Sequence, residues 1–273
     1  MPWIFLLVFG CAKEQRFIPS PATEAATESF ASGLVLIDAA SVTLGETDAS
    51  VIDQYDGDGE EVQTIIPAAE HNIASFYVDR YPFPGVAGAA WFIDGTRHNT
   101  IEALDATLQD FGRRVCRISE LMYAAAGPDN HRYPYGDGNT WDDICDPDDE
   151  NPSPIGTFTE CRSALGIHDF QVRSTWGRID NTIEMVMQNT PQVDGFPGEL
   201  VYAVWGGTSR DDTYYAPSNF GFHTHGKHAE DLYLDDGFRT CADAVPTDAQ
   251  NTAYSRWIDR ALEAGSYEEL FSG

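Results

Sequence analysis

The strongest constraint on the fold lies between residues 128 and 237, where no helical or strand periodicity persists. Glycine, proline, aspartate and aromatic residues are frequent there, and only the short runs TIEMVM (182–187) and LVYAVW (200–205) are typical of strands. This composition predicts mostly irregular structure through the second half of the chain. The longer regular elements must therefore come from the flanking segments.

Those segments predict helices and short strands. NTIEALDATLQDFG (99–112) begins with Asn99 and Glu102 at capping-box spacing and ends at Gly112. The other predicted elements are two strands within 33–45, a strand within 75–85, and helices at 119–127 and 253–265. The last helix is amphipathic, with an inward face of Tyr254, Trp257, Ile258, Ala261 and Leu262. We expect a single α+β domain, because no repeat or internal linker interrupts the pattern after residue 33.

The N-terminus has the character of an export segment. An apolar run from Trp3 to Gly10 precedes Cys11, and is too short to span a bilayer. LVFGC resembles a bacterial lipobox, which would make Cys11 a lipidation site; simple cleavage after secretion and a buried N-terminal strand are the alternatives. Residues 1–11 are thus a signal or lipobox segment, and 12–32, rich in Ala, Ser, Thr, Pro and Glu, are predicted to be a disordered spacer.

The charge limits the partners. With 44 acidic and 16 basic residues, the formal net charge is -28. A phosphate backbone would be repelled, so nucleic acid is excluded as a partner, and membrane contact is expected only through an N-terminal lipid anchor. The acidic run at Asp53, Asp56, Asp58 and Glu60 lacks the ligand spacing of an EF-hand and is expected to be a solvated loop.

Two sets of residues could carry chemistry. Beyond Cys11, the cysteines form an even set without CxxC spacing, which in an exported chain favours disulfides in any of three pairings; they are Cys116, Cys145, Cys161 and Cys241. FGFHTHGKH offers His223, His225 and His228, which could bind zinc, copper(II) or iron with help from Asp211 or Asp212. The alternative for these histidines is a solvated surface loop.

Several segments, in chain order, resemble the sulfatase-modifying-factor family, which includes the formylglycine-generating enzymes. RRVCRISELMYAAAGPDNHRYPYGD (113–137) is the clearest match. The supporting matches, spanning residues 33 to 243, are GLVLIDAASVTLG, SFYVDRYPF, SPIGTF, LGIHDF, DNTIEMV, VWGGTS and DDGFRTCAD. The resemblance implies a C-type-lectin-like fold with two main helices, short strands and much irregular structure, over residues 33–245. Residues 246–273 would add a C-terminal amphipathic helix and tail.

The resemblance also implies particular sites. It implies disulfides Cys116–Cys241 and Cys145–Cys161, and structural calcium at Asp169 and Asn181, although QVRSTWGRI is inserted between those two positions. Formylglycine-generating enzymes oxidise a substrate cysteine with oxygen at copper(I) held by two thiolates. Here Asp211 and Ala216 occupy the thiolate positions, so neither copper nor catalytic residues are expected.

The sequence therefore predicts a non-catalytic binding or scaffold protein of the bacterial cell envelope. It would be anchored by lipid in the outer membrane or periplasm, or secreted. Its ligand would be a protein, peptide or glycan, bound in a groove beside residues 205–228. The alternative is a metal-dependent oxidase, or a protein-modifying enzyme of the formylglycine-generating type, with a site rebuilt around Asp211 and the three histidines.

Overall fold

The computed structural model describes residues 33–45, 62–64, 66–89, 101–131, 133–136, 145, 154–170, 175–181, 183, 185, 202–205, 222–224 and 237–264. The strands are β1 Leu34–Ile37, β2 Ala40–Leu44, β3 Val62–Thr64, β4 Ala69–Ile73, β5 Phe76–Asp79, β6 Arg114–Val115, β7 Thr175–Arg178, β8 Tyr202–Trp205, β9 Phe222–Thr224, β10 Gly237–Phe238 and β11 Thr240–Ala242. The helices are α1 Ile101–Asp110, α2 Ile118–Ala126 and α3 Asp248–Ala264. None of the helices within these ranges is long and apolar enough to cross a membrane.

The strands form three sheets. One has the order β1-β5-β11-β6, with antiparallel neighbours throughout. The second has the order β10-β7-β8-β9-β3, in which only the β10–β7 pair is parallel. Strands β2 and β4 form a separate antiparallel pair. Because Arg239 alone separates β10 from β11, the chain passes from the second sheet into the first at this residue.

Helix α2 is the centre of the largest apolar cluster. All nine of its residues are buried, and it packs against side chains from β1, β2, β4 and β5. Strand β7 approaches the same helix through Gly177, where a Cβ atom would lie 2.4 Å from Ile118 Cδ1 and 2.9 Å from Leu121 Cδ1. Glycine is required there because no side chain fits between the strand and the helix.

A second cluster joins α1 to α3. Leu104 and Leu108 recur on the inner face of α1 and meet Trp257 and Ile258 of α3. These residues enclose Phe83, whose ring stacks on Phe238 with centroids 4.2 Å apart. The helical spacing of the apolar positions gives each helix one buried stripe, and pairing the two stripes removes both from water.

Both disulfides implied by the resemblance are present. Cys116 is bonded to Cys241 across 125 residues of chain, and Cys145 to Cys161 across 16. The first bond lies in the α2 cluster, and the second lies in a third cluster with Tyr133, Tyr135 and Ile155. All four cysteines are buried.

The sequence located the three helices and four of the eleven described strands, and it misassigned one segment. The two strands within 33–45, the strand within 75–85, and the three helices are confirmed, and the structure is a mixed α/β protein with mainly antiparallel sheets. The run LVYAVW contains β8, as expected. The predicted inward face of α3 holds at Tyr254, Trp257 and Ile258, whereas Leu262 is 37% exposed. Asn99 lies outside the described residues, so the capping box stays a prediction.

The run TIEMVM was wrongly predicted as a strand. Asn181, Ile183 and Met185 have helical backbone, and Asp180 stands at the start of this turn. Asp180 Oδ1 accepts the Ile183 N–H at 3.3 Å, while its other oxygen accepts the Ser119 N–H in the first turn of α2 at 3.1 Å. One carboxylate thus caps two helical segments, and this cap outweighs the apolar alternation of the run.

Candidate functional site

Most of the residues predicted around the family's copper position lie outside the described residues. These are Asp211, Ala216, His225 and His228, and Cys11 is outside them as well. His223 is placed in β9, where its backbone pairs with Val204 of β8 and Gln63 of β3. The metal-binding role of the histidines therefore stays a prediction. Among the described residues, no group of three or more His, Cys, Asp or Glu side chains is arranged to hold a metal ion.

The two predicted calcium residues differ in environment. Asn181 is exposed, whereas Asp169 is 4% exposed and has φ of +58°, a left-handed conformation that is uncommon outside glycine. Asp169 Oδ2 accepts the N–H of Gly156 at 2.8 Å, and the Asp169 N–H donates to Cys161 O at 2.8 Å. A buried carboxylate on a left-handed residue is a feature more typical of a site than of ordinary packing.

Arg239 is a buried cation whose charge acts on this carboxylate. Its guanidinium is fully buried, donates to the carbonyls of Asp79 at 3.2 Å and Arg80 at 3.3 Å, and also donates to the carbonyl of His168. Its charged carbon lies 4.2 Å from the centroid of the Phe170 ring. Burial lowers the pKa of Arg239 to about 10, against the opposing charges of Asp169 and Asp79, so the group stays charged at neutral pH.

The surroundings of Asp169 supply donors and positive charge. Burial raises the pKa of the Asp169 carboxyl to about 6, opposed by the Gly156 N–H and Arg239. Calcium binds where several oxygen ligands converge, without a guanidinium beside them. Calcium at Asp169 stays a prediction, and the local electrostatics weigh against it.

His168, the residue before Asp169, is neutral at physiological pH. Burial lowers the pKa of its imidazole to about 4, with further lowering by Arg162, Arg239 and Arg80. Its ring lies 5.0 Å from the ring of Tyr81, centroid to centroid. His168 and Asp169 are consecutive residues whose pKa values are displaced in opposite directions. The stability of the protein therefore depends on pH through both of them.

The two displaced pKa values have opposite effects on stability. The neutral form of Asp169 is favoured by folding, so its contribution is complete below pH 3.8 and is lost as the pH rises through about 6. Neutral His168 is favoured too, so its contribution is complete above pH 6.5 and is lost as the pH falls through about 4. In wild-type protein the two effects largely offset each other between pH 4 and 6.

We expect His168→Asn to gain stability relative to wild type, by about 2 kcal/mol, as the pH falls from 6.5 to 4, because only the Asp169 contribution remains. Asp169→Asn should lose stability relative to wild type over the same range. Urea unfolding at several pH values measures both differences, with the exposed Asp110→Asn as control. If the free energy of unfolding of both variants changed with pH in the same way as that of wild type, the pKa displacements of His168 and Asp169 would be contradicted.

A second buried network connects Asp79 of β5, Thr240 of β11 and Arg113, the residue before β6. Asp79 Oδ1 accepts from Arg113 at 2.9 Å, and Arg113 also donates to Thr240 Oγ1 at 2.8 Å. Thr240 in turn donates to Asp79 Oδ2. All three side chains are buried, and the Arg113 guanidinium packs 3.9 Å from the centroid of the Tyr254 ring. Because the three side chains are buried and Asp79 and Thr240 belong to adjacent strands, the network stabilises the packing of β5 against β11.

Two more networks connect β6 of the first sheet to helices α1 and α2 and to β8 of the second sheet. Arg114 forms two hydrogen bonds with the Glu120 carboxylate, at 2.8 and 2.7 Å, and a third with Asp243 at 2.6 Å. On α1, Asp105 accepts the Tyr202 hydroxyl at 2.6 Å and the Val115 N–H at 2.6 Å. Asp105 of α1 thereby links Tyr202 of β8 to Val115 of β6. These contacts fix the position of β8, the strand that precedes residues 206–221.

Sequence reasoning singled out Asp169 but missed the residues around it. His168 lies in LGIHDF and Arg239 in DDGFRTCAD, two of the segments that carry the resemblance, so both were present in the quoted motifs. No local signal connects them, because 71 residues separate the two in sequence. Only the order of strands in the sheets places them in contact.

Comparison with known proteins gives little beyond this geometry. No family model matches the chain, and none of the curated proteins does. Among solved structures, the chain is similar to PvdO from Pseudomonas aeruginosa, with 15% sequence identity and a TM-score of 0.46. The similarity covers 76% of this chain and 93% of that chain.

Proposed function

We propose that this chain is an exported sulfatase-modifying-factor-like protein of C-type-lectin-like fold that acts as a non-catalytic binding or scaffold protein of the cell envelope. The observation that carries the proposal is the pair of disulfides. Four of the five cysteines are used in them, so this chain alone cannot supply the two free thiolates that a copper(I) site of the family requires. Buried disulfides also favour an oxidising compartment outside the cytoplasm.

The motif register supports the same proposal. Asp211 and Ala216 occupy the positions of the copper ligands, and neither an aspartate nor a methyl group is a soft ligand for copper(I). Lipid attachment at Cys11 would then hold the protein at the membrane through residues 12–32. The ligand would be a protein, peptide or glycan bound beside residues 205–228.

Thiol and metal content test the non-catalytic part of the proposal. We expect untagged protein to contain no more than one free thiol after denaturation, and no stoichiometric copper, zinc or iron. The triple variant His223→Ala, His225→Ala and His228→Ala should have the same metal content as wild type, with His131→Ala as a matched control. A stoichiometric transition metal that disappears in the triple variant alone would overturn the proposal in favour of a metal-dependent enzyme.

The register of β8 and β9 allows a direct test of the proposed ligand site beside residues 205–228. Trp205 and Phe222 are cross-strand partners, so the two ends of the 206–221 segment lie side by side. A short Asn-Gly linker can therefore join β8 to β9 in place of 206–221. We expect this variant to fold with both disulfides and to lose binding on peptide and glycan arrays. Undiminished binding by the folded variant, or no binding by wild type, would contradict a ligand site there.

A further inference from the structure

Strands β2 and β4 form a pair that is separate from the other two sheets. Among the described strands, neither member is hydrogen-bonded to a third, so no shared ladder ties the pair to another sheet. Its inner face carries Val42, Leu44 and Ile73, which pack in the same apolar cluster as α2. An isolated two-stranded pair is only marginally stable in water. The β2–β4 pair therefore depends on its contact with α2.

His71 of β4 lies in the middle of this inner face. Its backbone is directly opposite Val42, and antiparallel partners project their side chains from the same face of the pair. His71 is 0% exposed, and within the described part of the chain neither of its ring nitrogens has a hydrogen-bond partner. Buried polar atoms in proteins nearly always have one. An apolar residue would leave no polar atom unpaired here, so the histidine weakens the contact in which it lies.

The titratable groups on the neighbouring elements do not compensate a charge on this imidazole. Strand β2 has none, and those on β4, on α2 and on the turn after β7 are Glu70, Glu120, Tyr123 and Asp180. Glu70 is exposed, and Glu120 is already paired with two arginines. Asp180 is the carboxylate whose charge acts on His71, but its two oxygens already accept backbone N–H groups. Burial raises the pKa of the Tyr123 hydroxyl, which stays neutral.

Burial makes the neutral form of His71 the stable one in the folded protein. It lowers the pKa of the imidazole from its ordinary value of 6.5, with the charge of Asp180 opposing this effect. The contribution of neutral His71 to stability is therefore complete above pH 6.5 and is lost as the pH falls through the lowered value. Moving the ring into water takes up one proton in this range, so acid favours any opening that exposes the ring.

We propose that His71 is an acid switch: when its imidazole takes up a proton, the β2–β4 pair separates from α2. The charged ring then reaches water, where both N–H groups find acceptors. The separation breaks no ladder with either of the other described sheets. It uncovers Val42, Leu44 and Ile73 together with the part of α2 against which they pack. The fold thus contains a unit that acid releases while the four-stranded sheet stays closed.

Hydrogen exchange of the full chain, measured by mass spectrometry between pH 7 and pH 5, tests the switch. Rates are corrected for the intrinsic pH dependence of amide exchange, which leaves the equilibrium constant for opening. We expect this constant to rise by about fivefold or more between pH 6.5 and pH 5 in segments 40–44 and 69–73, because opening takes up one proton. The constant for β1 and β5 should change much less, since these strands belong to the four-stranded sheet.

Variants at His71 show whether this residue is the cause. His71→Leu should abolish the pH dependence in both segments, and His71→Gln, which also cannot titrate, replaces it if the leucine variant does not fold. His168→Asn is the matched control, because it removes a different buried histidine and should keep the wild-type response of β2 and β4. A pH-independent opening constant in wild type would overturn the proposal. So would an unchanged response in a folded His71 variant, or an equal rise in β1 and β5, which would indicate global unfolding.

Discussion

Replacing Cys116 and Cys241 together by alanine is expected to lower the free energy of unfolding by about 5 kcal/mol, the largest effect of any change considered for this protein. The bond closes a segment of 125 residues, and the chain entropy that a crosslink removes from the unfolded state grows with the length of the closed segment. Both sulfur atoms are also buried in the α2 cluster, so their loss leaves a cavity.

The second disulfide provides the matched comparison. Cys145 and Cys161 close only 16 residues, so their double alanine variant should lose about 3 kcal/mol. Urea unfolding of both variants and of wild type, with wild type repeated in reducing buffer, measures the two losses. An equal loss in the two variants, or a larger one for the shorter segment, would show that the crosslinks do not act through the unfolded chain.

Asp79→Ala is expected to lower the free energy of unfolding by about 3 to 5 kcal/mol. The variant leaves the Arg113 guanidinium buried without its 2.9 Å carboxylate partner and leaves the Thr240 hydroxyl without its acceptor. An uncompensated charge in the interior costs far more than the net value of the original ion pair. Asp79 is the last residue of the inner strand β5 and is buried, so the cost falls on the interior.

Removing both charges distinguishes this explanation from simple loss of packing. We expect the double variant Asp79→Ala and Arg113→Met to recover most of the loss, because no Arg113 charge is then buried without its carboxylate, while Arg239 keeps the opposing charge of Asp169. Asp110→Ala, at an exposed position in α1, should change stability by less than about 0.5 kcal/mol. Urea unfolding at pH 7 gives all three values. If the double variant were no more stable than Asp79→Ala, the buried charge could not be the cause.

Local pattern predicted the helices well because helix formation depends on neighbours in sequence. The apolar stripe of α1 at Ile101, Leu104 and Leu108 is buried as its spacing predicts. The same reasoning failed at residues 182–187, where alternating apolar residues are typical of a strand. The outcome there was decided by Asp180, whose carboxylate caps both this turn and α2. The cap on this turn is a local signal, from Asp180 to Ile183, which the apolar alternation obscured, whereas the cap on α2 joins residues 61 positions apart.

The candidate site was predictable only in part, because its contacts join segments that are distant in sequence. Asp169 was singled out through a resemblance and assigned to calcium, whereas the structure surrounds it with the Gly156 N–H and buried Arg239. The contacts of His168 with Arg80 and Arg239 were not predicted, because the three residues come from segments far apart in the chain. The even number of cysteines indicated disulfides, but counting could not choose among the three pairings.

The sequence by itself predicted the three helices, most of the buried faces of α1 and α3, and strands β1, β2, β5 and β8. These follow from side-chain spacing and residue identity, which are local properties. Tertiary structure alone decided which buried polar and charged side chains contact each other. Asp79 and Thr240 are 161 residues apart and become partners because β5 and β11 are adjacent strands. Strand order is set by the packing of the whole core, and so the buried networks could not be derived from any one stretch of chain.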